Sequence, residues 1–460
     1  MSVGFAARTA LGPSRDDIQA DLAPIRTPQV ARSRKAADGR PIDVLVLDAE
    51  YRQALAAMRS LARSGMKVGS VVCASDENEA LAFRSRWCRL RAVVPDFAQD
   101  ATGYADAIIA LLDQHPADLI LPCHDGSIAA LRARRSELEQ RTALPLASEA
   151  ALNIAVNKER TLSLAKNLGI AVPRTVALSD TRDLRAALDH IGYPAVIKPA
   201  WSWAQRDGVG TRLSCAAVSD LGEGQRVVDA IRMAGGRAVI QQWLSGRREA
   251  VSLFYAANKF WARFVQMSYR ELPSLGGASV LCESTPPLPE LIAPAQRLVR
   301  AMNLEGCSMV EFRRDGKGRP ILMEVNPRMA GSVGLAISSG VDFPQLLRTW
   351  AYGEPLRRVT DYRVGVRLRW LAGDVGNLKS ALKGGGLADV PPRGRALATF
   401  FADFVRRPSA LDVFDPTDML PVILELRQAA RFALRGLGGS AGRWMKGSIN
   451  LEESRGPILG

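Results

Sequence analysis

The chain has 460 residues, of which 47% are hydrophobic and 23% are charged, and its excess of Lys and Arg gives a formal net charge of +14. This length predicts several domains rather than one core, and an ordinary composition without an apolar run near the roughly 20 residues of a membrane span predicts a cytoplasmic protein. Six scattered cysteines and three histidines argue against a zinc site or a disulfide framework, and the positive charge fits an arginine-rich coding bias as well as an anionic partner, with no motif for nucleic acid.

Alternating strand and helix patterns follow residues 1–40, which are predicted to be a disordered arm. From 41 to 150 this alternation predicts a parallel sheet covered by helices. Ligands of such sheets bind beyond the carboxyl ends of the strands. The polar residues at those ends are Asp48, Glu50, His124 and Asp125. For His124 and Asp125, substrate contact and loop capping are equally open, because Asp-Gly also makes turns.

Two lysines occupy positions where a cation needs an anionic partner. Lys158 follows Asn157 in the first turn of a predicted helix, where free N–H groups attract phosphate; a solvated lysine is the alternative. Lys198 ends an apolar strand, and a lysine there is rarely buried without a partner. Beyond it, D-G-V-G-T contains Gly208 and Gly210, which either close over phosphates or form an ordinary hairpin turn.

One predicted hairpin carries a dense set of charged residues. Centring its turn on Lys-Gly places Glu311 opposite Glu324, and opposed Cβ atoms lie roughly 4.5–5.5 Å apart, so the carboxylates repel unless a cation lies between them. Glu324, Asn326 and Arg328 alternate onto one face. That face suits Mg²⁺ and a phosphoryl or carboxylate group, whereas the alternative is a solvated hairpin.

These motifs resemble, in their order and spacing, the ATP-grasp superfamily, and in particular its carboxylate–amine ligase branch, which is similar to biotin carboxylase, carbamoyl-phosphate synthase and D-aspartate ligase. The resemblance implies an ATP-grasp fold of α/β and α+β type. It places an N-terminal, biotin-carboxylase-like parallel α/β domain at 41–150, two α+β lobes at 151–355 and an appended C-terminal segment at 356–460.

The resemblance also implies ligands for the motifs. The expected metal ligands, for Mg²⁺ or alternatively Mn²⁺, are Glu311, Glu324 and Asn326. The expected ATP-binding residues are Lys158, Lys198, Gly208, Gly210, Gln241, Gln242, Leu244 and Glu249. The expected catalytic residues are Arg328 and Lys198, and the expected substrate-binding residues are His124, Asp125, Gly331 and Ser332.

The segment Q-Q-W-L-S-G resembles the hinge that recognises adenosine in this superfamily. There the resemblance assigns Gln241 to the adenine amino group, the main chain of Gln242 and Leu244 to the adenine ring, and Glu249 to the ribose hydroxyls. Many family members have Glu at the position of Gln241, and Arg248 is an extra residue in the pattern.

The chain departs from the family pattern after Arg357. An acidic turn, D-V-F-D-P-T-D, precedes a helix predicted from Met419, on which Arg427, Arg431 and Arg435 form a basic stripe. The preferred interpretation is an exposed turn, with a cation site as the alternative. The helix is predicted to pack on its own domain, with peripheral contact to an anionic membrane as the alternative.

The activity that the resemblance implies is ATP-dependent ligation. A substrate carboxylate attacks the γ-phosphorus of ATP, and an amine then displaces phosphate from the acylphosphate. The expected partners are a small carboxylate, by default an amino acid, and an amine. The oligomeric state is left open, with a homodimer as one alternative. The alternatives are a bicarbonate-using carboxylase or carbamoyl-phosphate-type enzyme, and a non-catalytic ATP-binding module of a biosynthetic or membrane-associated assembly.

Overall fold

The computed structural model describes residues 42–178, 180–201, 203–206, 209–213, 215–272, 277–383, 391–405, 409–434 and 448–449. The arm predicted at 1–40 lies outside the described residues. So do Gly208, Arg435 and the glycines at 384–386.

The N-terminal part contains β1 (Val44–Val46), α1 (Arg52–Arg63), β2 (Val68–Cys73), β3 (Cys88–Val94), α2 (Ala101–Gln114), β4 (Leu119–Leu121), α3 (Asp125–Arg132), α4 (Arg135–Glu139), α5 (Glu149–Ala155) and α6 (Lys158–Asn167). The next part contains β5 (Thr175–Ala177), α7 (Leu184–Ile191), β6 (Ala195–Pro199), β7 (Trp203–Arg206), β8 (Val209–Leu213), β9 (Ala216–Val218), α8 (Leu221–Met233) and β10 (Ala238–Gln242). The large sheet and its helices are β11 (Arg248–Ala256), β12 (Lys259–Leu272), β13 (Ala278–Ser284), α9 (Pro289–Met302), β14 (Gly306–Arg314), β15 (Pro320–Asn326), α10 (Val333–Ser339) and α11 (Phe343–Ala351). The remaining elements are β16 (Arg367–Arg369), α12 (Leu371–Lys383), α13 (Arg393–Val405), β17 (Ala410–Leu411), α14 (Leu420–Leu434) and β18 (Ser448–Ile449).

The first sheet is parallel, as the alternating pattern predicts, with strand order β3–β2–β1–β4. Leu45 of β1 joins a core with Tyr104 of α2, whereas Val44 joins the core on the other face with Met58 of α1. Both faces are therefore covered, which explains why the strands are apolar runs rather than alternating ones. After β4 the chain forms two short helices, α3 and α4.

A second, antiparallel sheet has the order β5–β10–β6–β9. Its apolar side packs on α7 and α8, where Ile197 and Ile240 meet Leu188 and Val228. Lys198 and Gln241 lie on neighbouring strands of this sheet. A further small sheet has the strand order β18–β8–β7.

The large sheet has the order β15–β14–β11–β12–β13–β16–β17. One of its faces is apolar and packs on α9, with Leu253, Val310 and Phe312 against Leu291 and Leu298. Because side chains alternate along a strand, the neighbouring residues of β11 and β14 face the other way. That second face, which carries Glu311, is called the site face below.

The acidic turn of the C-terminal segment is buried, which corrects the expectation of an exposed turn. The side chains of Asp412, Asp415 and Asp418 are 2%, 9% and 1% exposed, and they pair with arginines of α1. The three carboxylates pair with Arg52, Arg59 and Arg63, which form a stripe on α1. These arginines lie more than 300 residues earlier in the chain, so the local sequence of the turn does not reveal them.

The terminal helix α14 packs on the rest of the chain, as preferred from its pattern. Leu424 and Ala429 are buried, and Arg431 pairs with Glu79. Leu420, Ile423 and Leu426 remain exposed. In the described part of the chain, no helix combines the length and the apolar character needed to span a bilayer.

We expect Asp418→Ala to destabilise the fold strongly. Asp418 accepts hydrogen bonds from Arg59 Nε at 2.9 Å, Ser85 Oγ at 2.7 Å and the main-chain N–H of Arg86 at 2.8 Å. Removing it leaves Arg59 buried without its main carboxylate, at a cost of about 3–5 kcal/mol in the free energy of unfolding. Urea denaturation followed by circular dichroism measures this loss.

The control is Arg182→Ala, which removes an exposed pair with Asp180 and should cost about 0–1 kcal/mol. Equal losses in the two variants would contradict a structural role for the buried turn.

Candidate active site

The site is built around two opposed carboxylates on the site face. Glu311 of β14 lies directly opposite Glu324 of β15, as the hairpin register predicts. Glu311 is buried, and burial raises its pKa; Glu324 and Glu271 raise it further, whereas Arg248 lowers it. The pair is thus a concentration of negative charge that needs cations around it.

Two lysines bring positive charge to Glu324. Lys158 Nζ lies 4.0 Å from Glu324 Oε2, and the main-chain N–H of Lys158 donates to Ala200 O at 3.0 Å, which fixes the start of α6 against the end of β6. Burial alone would raise the pKa of Glu324, but Lys158 and Lys198 together hold it below its usual value. Lys198 is buried, and mainly for that reason its pKa is lowered.

Arg328 connects the hairpin to the N-terminal sheet. Its Nε and Nη2 donate to the two carboxylate oxygens of Asp125 at 2.6 and 2.9 Å. Asp125 follows β4 at the carboxyl edge of the parallel sheet. Asn326 lies between, with its Nδ2 3.5 Å from Glu311 Oε1 and 3.4 Å from Glu324 Oε1. The structure therefore brings all four predicted hairpin residues together, with Asp125 beside them.

His124 stabilises the loop after β4. Its Nδ1 accepts the main-chain N–H of Gly126 at 3.1 Å, and its ring stacks on Tyr51 and Phe97 with centroid distances of 4.8 and 5.7 Å. Phe97 in turn meets Trp203 of β7 edge-on at 5.3 Å. For His124 the loop-capping alternative agrees with the structure.

Of the two predicted phosphate-loop glycines, only Gly210 lies in the described part of the chain. It belongs to β8 and pairs with Gln205 across the β7–β8 hairpin. Trp203 of β7 meets Phe97, so this hairpin contacts the N-terminal part of the chain.

The hinge segment offers one buried acceptor. Gln241 Nε2 donates to Thr175 Oγ1 at 3.3 Å, whereas Gln241 Oε1 is buried without a hydrogen-bond partner among the described residues. The main-chain N–H of Gln242 donates to Arg174 O at 3.0 Å and is therefore already used. Leu244 is buried between β10 and β11.

Glu249 lies on the wrong face of the large sheet for its predicted ribose contact. It stands opposite Phe312, one residue out of phase with Ala250, which stands opposite Glu311. Its carboxylate accepts from Arg314 Nε at 2.7 Å and Nη2 at 3.1 Å. The side chain is thus separated from Glu311 by the sheet and is already ion-paired, so the prediction does not fit this geometry.

Arg248 lies on the site face instead, and the sequence interpretation missed it. Arg248 Nη1 is 3.4 Å from Glu311 Oε2, Nε is 3.5 Å from Glu271 Oε1, and Nη2 donates to Ser279 Oγ at 2.7 Å. The two-residue period of β11 would have identified it once the register with Glu311 was known.

The loop after the hairpin lies between the sheet and α1. Ser332 Oγ is hydrogen-bonded to the side chain of Gln266 on β12, with a donor–acceptor distance of 2.8 Å from Nε2. Gln266 stands opposite Ala250 and so shares the site face. A Cβ added at Gly331 would lie 3.8 Å from Gln53 Oε1 of α1. The two predicted substrate residues of this loop therefore follow Arg328 between the large sheet and α1, and this region is called the cleft below.

The donors present fit a magnesium nucleotide. Two carboxylates and an amide are suitable donors for Mg²⁺, and the two lysines suit phosphates. The unpaired Gln241 Oε1 suits a donor such as an amino group on a purine. Among the described residues, no three His, Cys, Asp or Glu side chains are arranged to hold a metal by themselves, so the Asn and the ligand would have to complete the coordination.

Sequence comparison finds similarity to one family model and to ligases. A family model described as ATP-grasp in the biosynthetic pathway with Ter operon matches residues 279–373. The chain is 25% identical over 206 residues to a D-alanine–D-alanine ligase of Stutzerimonas stutzeri, covering 42% of this chain and 63% of the relative. The chain thus spans less than two thirds of that relative's length.

Solved structures with a similar fold include two enzymes. A biotin carboxylase from Campylobacter jejuni in complex with β,γ-ATP has a TM-score of 0.57 at 17% identity, covering 71% of this chain and 74% of that chain. An L-amino acid ligase from Bacillus licheniformis has a TM-score of 0.52 at 17% identity, covering 69% and 75%. At this identity the likeness demonstrates the fold, and nothing in these similarities supports contact with a membrane.

We expect Glu249→Gln to alter stability but not ribose recognition. Weakening the pair with Arg314 should cost about 1–2 kcal/mol in the free energy of unfolding. Because the side chain is on the far face of the sheet, the ratio of affinities for Mg-ADP and its 2′-deoxy analogue should stay within about twofold of wild type, which is below about 0.4 kcal/mol. Calorimetric titration with both nucleotides measures that ratio, and a collapse of the preference would restore Glu249 as the ribose ligand.

Proposed function

We propose that the chain is an ATP-dependent ligase of the ATP-grasp superfamily, which joins a carboxylate to an amine through an acylphosphate. The observation that carries the proposal is the opposed pair Glu311 and Glu324, with two lysines on one side and Arg328 on the other. Glu311 is buried and Glu324 is half-buried, an arrangement that is costly without cations beside it, and Mg²⁺ would be one such cation.

In this proposal the residues around Glu324 bind the nucleotide. Lys158 and Lys198 would approach the phosphates, and Gln241 Oε1 would accept the adenine amino group. Mg²⁺ held by Glu311, Glu324 and Asn326 would neutralise charge on the β- and γ-phosphates. Catalysis then consists of positioning and charge stabilisation, and no serine or cysteine nucleophile is needed.

Arg328 is the proposed catalytic arginine. A carboxylate oxygen of the substrate attacks the γ-phosphorus as the bond to ADP breaks, which gives an acylphosphate. The amine then attacks the acyl carbon, phosphate leaves and the nitrogen loses a proton. Asp125 fixes the Arg328 guanidinium through two hydrogen bonds, so it can donate to the developing charge without reorganising.

The substrates are proposed to be an amino acid or another small carboxylate and an amine. Two proteins similar to this chain are named for joining amino acids, a D-alanine–D-alanine ligase and an L-amino acid ligase. The cleft beside Arg328, bordered by Gly331, Ser332 and Gln53, is where we place the acid. A bicarbonate-using enzyme and a non-catalytic ATP-binding module are the competing functions that the assay must separate.

The deciding experiment measures ADP release and hydroxamate formation with Mg-ATP, hydroxylamine and pools of carboxylic and amino acids, with bicarbonate tested separately. Hydroxamate that wild type forms and Glu324→Ala does not would support acylphosphate chemistry and identify the acid. ADP release with bicarbonate alone would favour the carboxylase alternative. Stabilisation by Mg-ATP without turnover in any pool would favour the binding module.

We expect Arg328→Ala to lower the turnover number about a hundredfold, or about 3 kcal/mol, as loss of a preorganised oxyanion donor does. Asp125→Asn keeps the guanidinium but weakens its anchor, so turnover should fall by a smaller factor. Steady-state kinetics of ADP release measure both. Wild-type turnover in Arg328→Ala would eliminate the catalytic assignment.

A further inference from the structure

The buried acidic turn reaches the active-site cleft through one of its ion pairs. Asp412 pairs with Arg52, the first residue of α1, whereas Asp415 pairs with Arg63 near the exposed end of the same helix. Asp412 also lies against the first turn of α10, because a Cβ added at Gly334 would come within 2.6 Å of Asp412 Oδ1. Of these contacts, those of Asp412 are the ones beside the cleft.

Arg52 is held by three groups and continues toward the large sheet. Besides Asp412, its Nη2 donates to the main-chain oxygen of Ser279 at 3.2 Å. Its guanidinium carbon lies 4.4 Å from the ring centroid of Trp370. Arg52 therefore ties the start of α1, and through Asp412 the C-terminal segment, to β13.

Ser279 is the point where this chain of contacts meets the site face. Its hydroxyl accepts from Arg248 Nη2 at 2.7 Å and lies 2.9 Å from Ser268 Oγ. Arg248 then approaches Glu311 Oε2 at 3.4 Å. The contacts run without a break from Asp412 through Arg52, Ser279 and Arg248 to a carboxylate of the proposed metal site.

The position of Arg248 determines which oxygen of Glu311 remains for a metal. The Arg248 guanidinium approaches Oε2 of Glu311, whereas Oε1 of Glu311 lies 3.5 Å from Asn326 Nδ2. A guanidinium that moved freely would compete with Mg²⁺ for both oxygens, since both are cations seeking the same carboxylate. Held by Ser279 and Glu271, it stays on one oxygen.

We propose that Asp412, Arg52 and Ser279 are positioning residues of the nucleotide site, through which the C-terminal segment holds Arg248 and orients Glu311 for Mg²⁺. The inference rests on the proposed function, because it assigns the metal to Glu311. In this proposal the C-terminal segment contributes to the geometry of the nucleotide site.

The test compares Asp412→Asn with Arg63→Ala in the full chain. Both weaken the same docking surface, but Arg63 is half-exposed and pairs with Asp415 away from Ser279. The measurements are the melting temperature without ligand and the affinity for ADP by calorimetry, with Mg²⁺ varied and with EDTA. Groups that orient a metal ligand typically change metal affinity 10–100-fold, so Asp412→Asn should weaken the Mg²⁺-dependent affinity at least about tenfold.

Arg63→Ala should lower the melting temperature and leave the Mg²⁺ dependence as in wild type. Affinity measured in EDTA should change little in either variant, since only the metal ligand is displaced. Ser279→Ala should weaken the Mg²⁺-dependent affinity for ADP as Asp412→Asn does, without removing an ion pair. Ser279→Thr, which keeps the hydroxyl, should retain the wild-type affinity.

Equal Mg²⁺ dependence in Asp412→Asn, Ser279→Ala and wild type would overturn the inference and leave the proposed function intact. Wild-type protein that binds ADP with no dependence on Mg²⁺, or does not bind it, would overturn both.

Discussion

The structure of the site depends on offsetting the repulsion between the carboxylates of Glu311 and Glu324. Two carboxylates face each other across adjacent strands, one of them fully enclosed, and the chain surrounds them with cations from four separate elements. Lysines arrive from α6 and β6, and arginines arrive from β11 and from the loop after β15. Except for Arg328, which follows Glu324 by four residues, these cations lie more than sixty residues from the pair, so the fold itself brings them together.

That constraint separates what the sequence could reveal from what it could not. Alternation and turn chemistry are local, so they correctly predicted the parallel sheet, the pairing of Glu311 with Glu324 and the side-chain face shared by Glu324 and Asn326. They did not predict the bulge that shifts the register by one residue between Glu311 and Phe312. The face on which Glu249 lies depends on the pairing of β11 with β14, whose partners are about sixty residues apart. A resemblance aligns residues by motif and cannot tell neighbouring strand positions apart where an extra residue such as Arg248 shifts the phase by one.

The acidic turn shows the same limit at a longer range. From its composition, D-V-F-D-P-T-D is typical of a solvated loop, and charged residues are mostly exposed. The three aspartates of this turn can be buried because α1, near the other end of the chain, presents arginines at a matching spacing. The division of the chain at residues 150 and 355, drawn from the family pattern, says nothing of such contacts, and the first and last regions share a buried polar interface.

That interface also affects the order in which the protein can fold during synthesis. Arg59 is buried against Asp418, its partner 359 residues later. At ribosomal rates of about 5–20 residues per second, Arg59 is made roughly 20–70 s before that partner exists. Until then the N-terminal α/β region must keep its arginine stripe in water or in a temporary pairing. The polar contacts between α1 and the acidic turn therefore form only after residue 418 has been made, and a chain that ends before it leaves Arg59 without this partner.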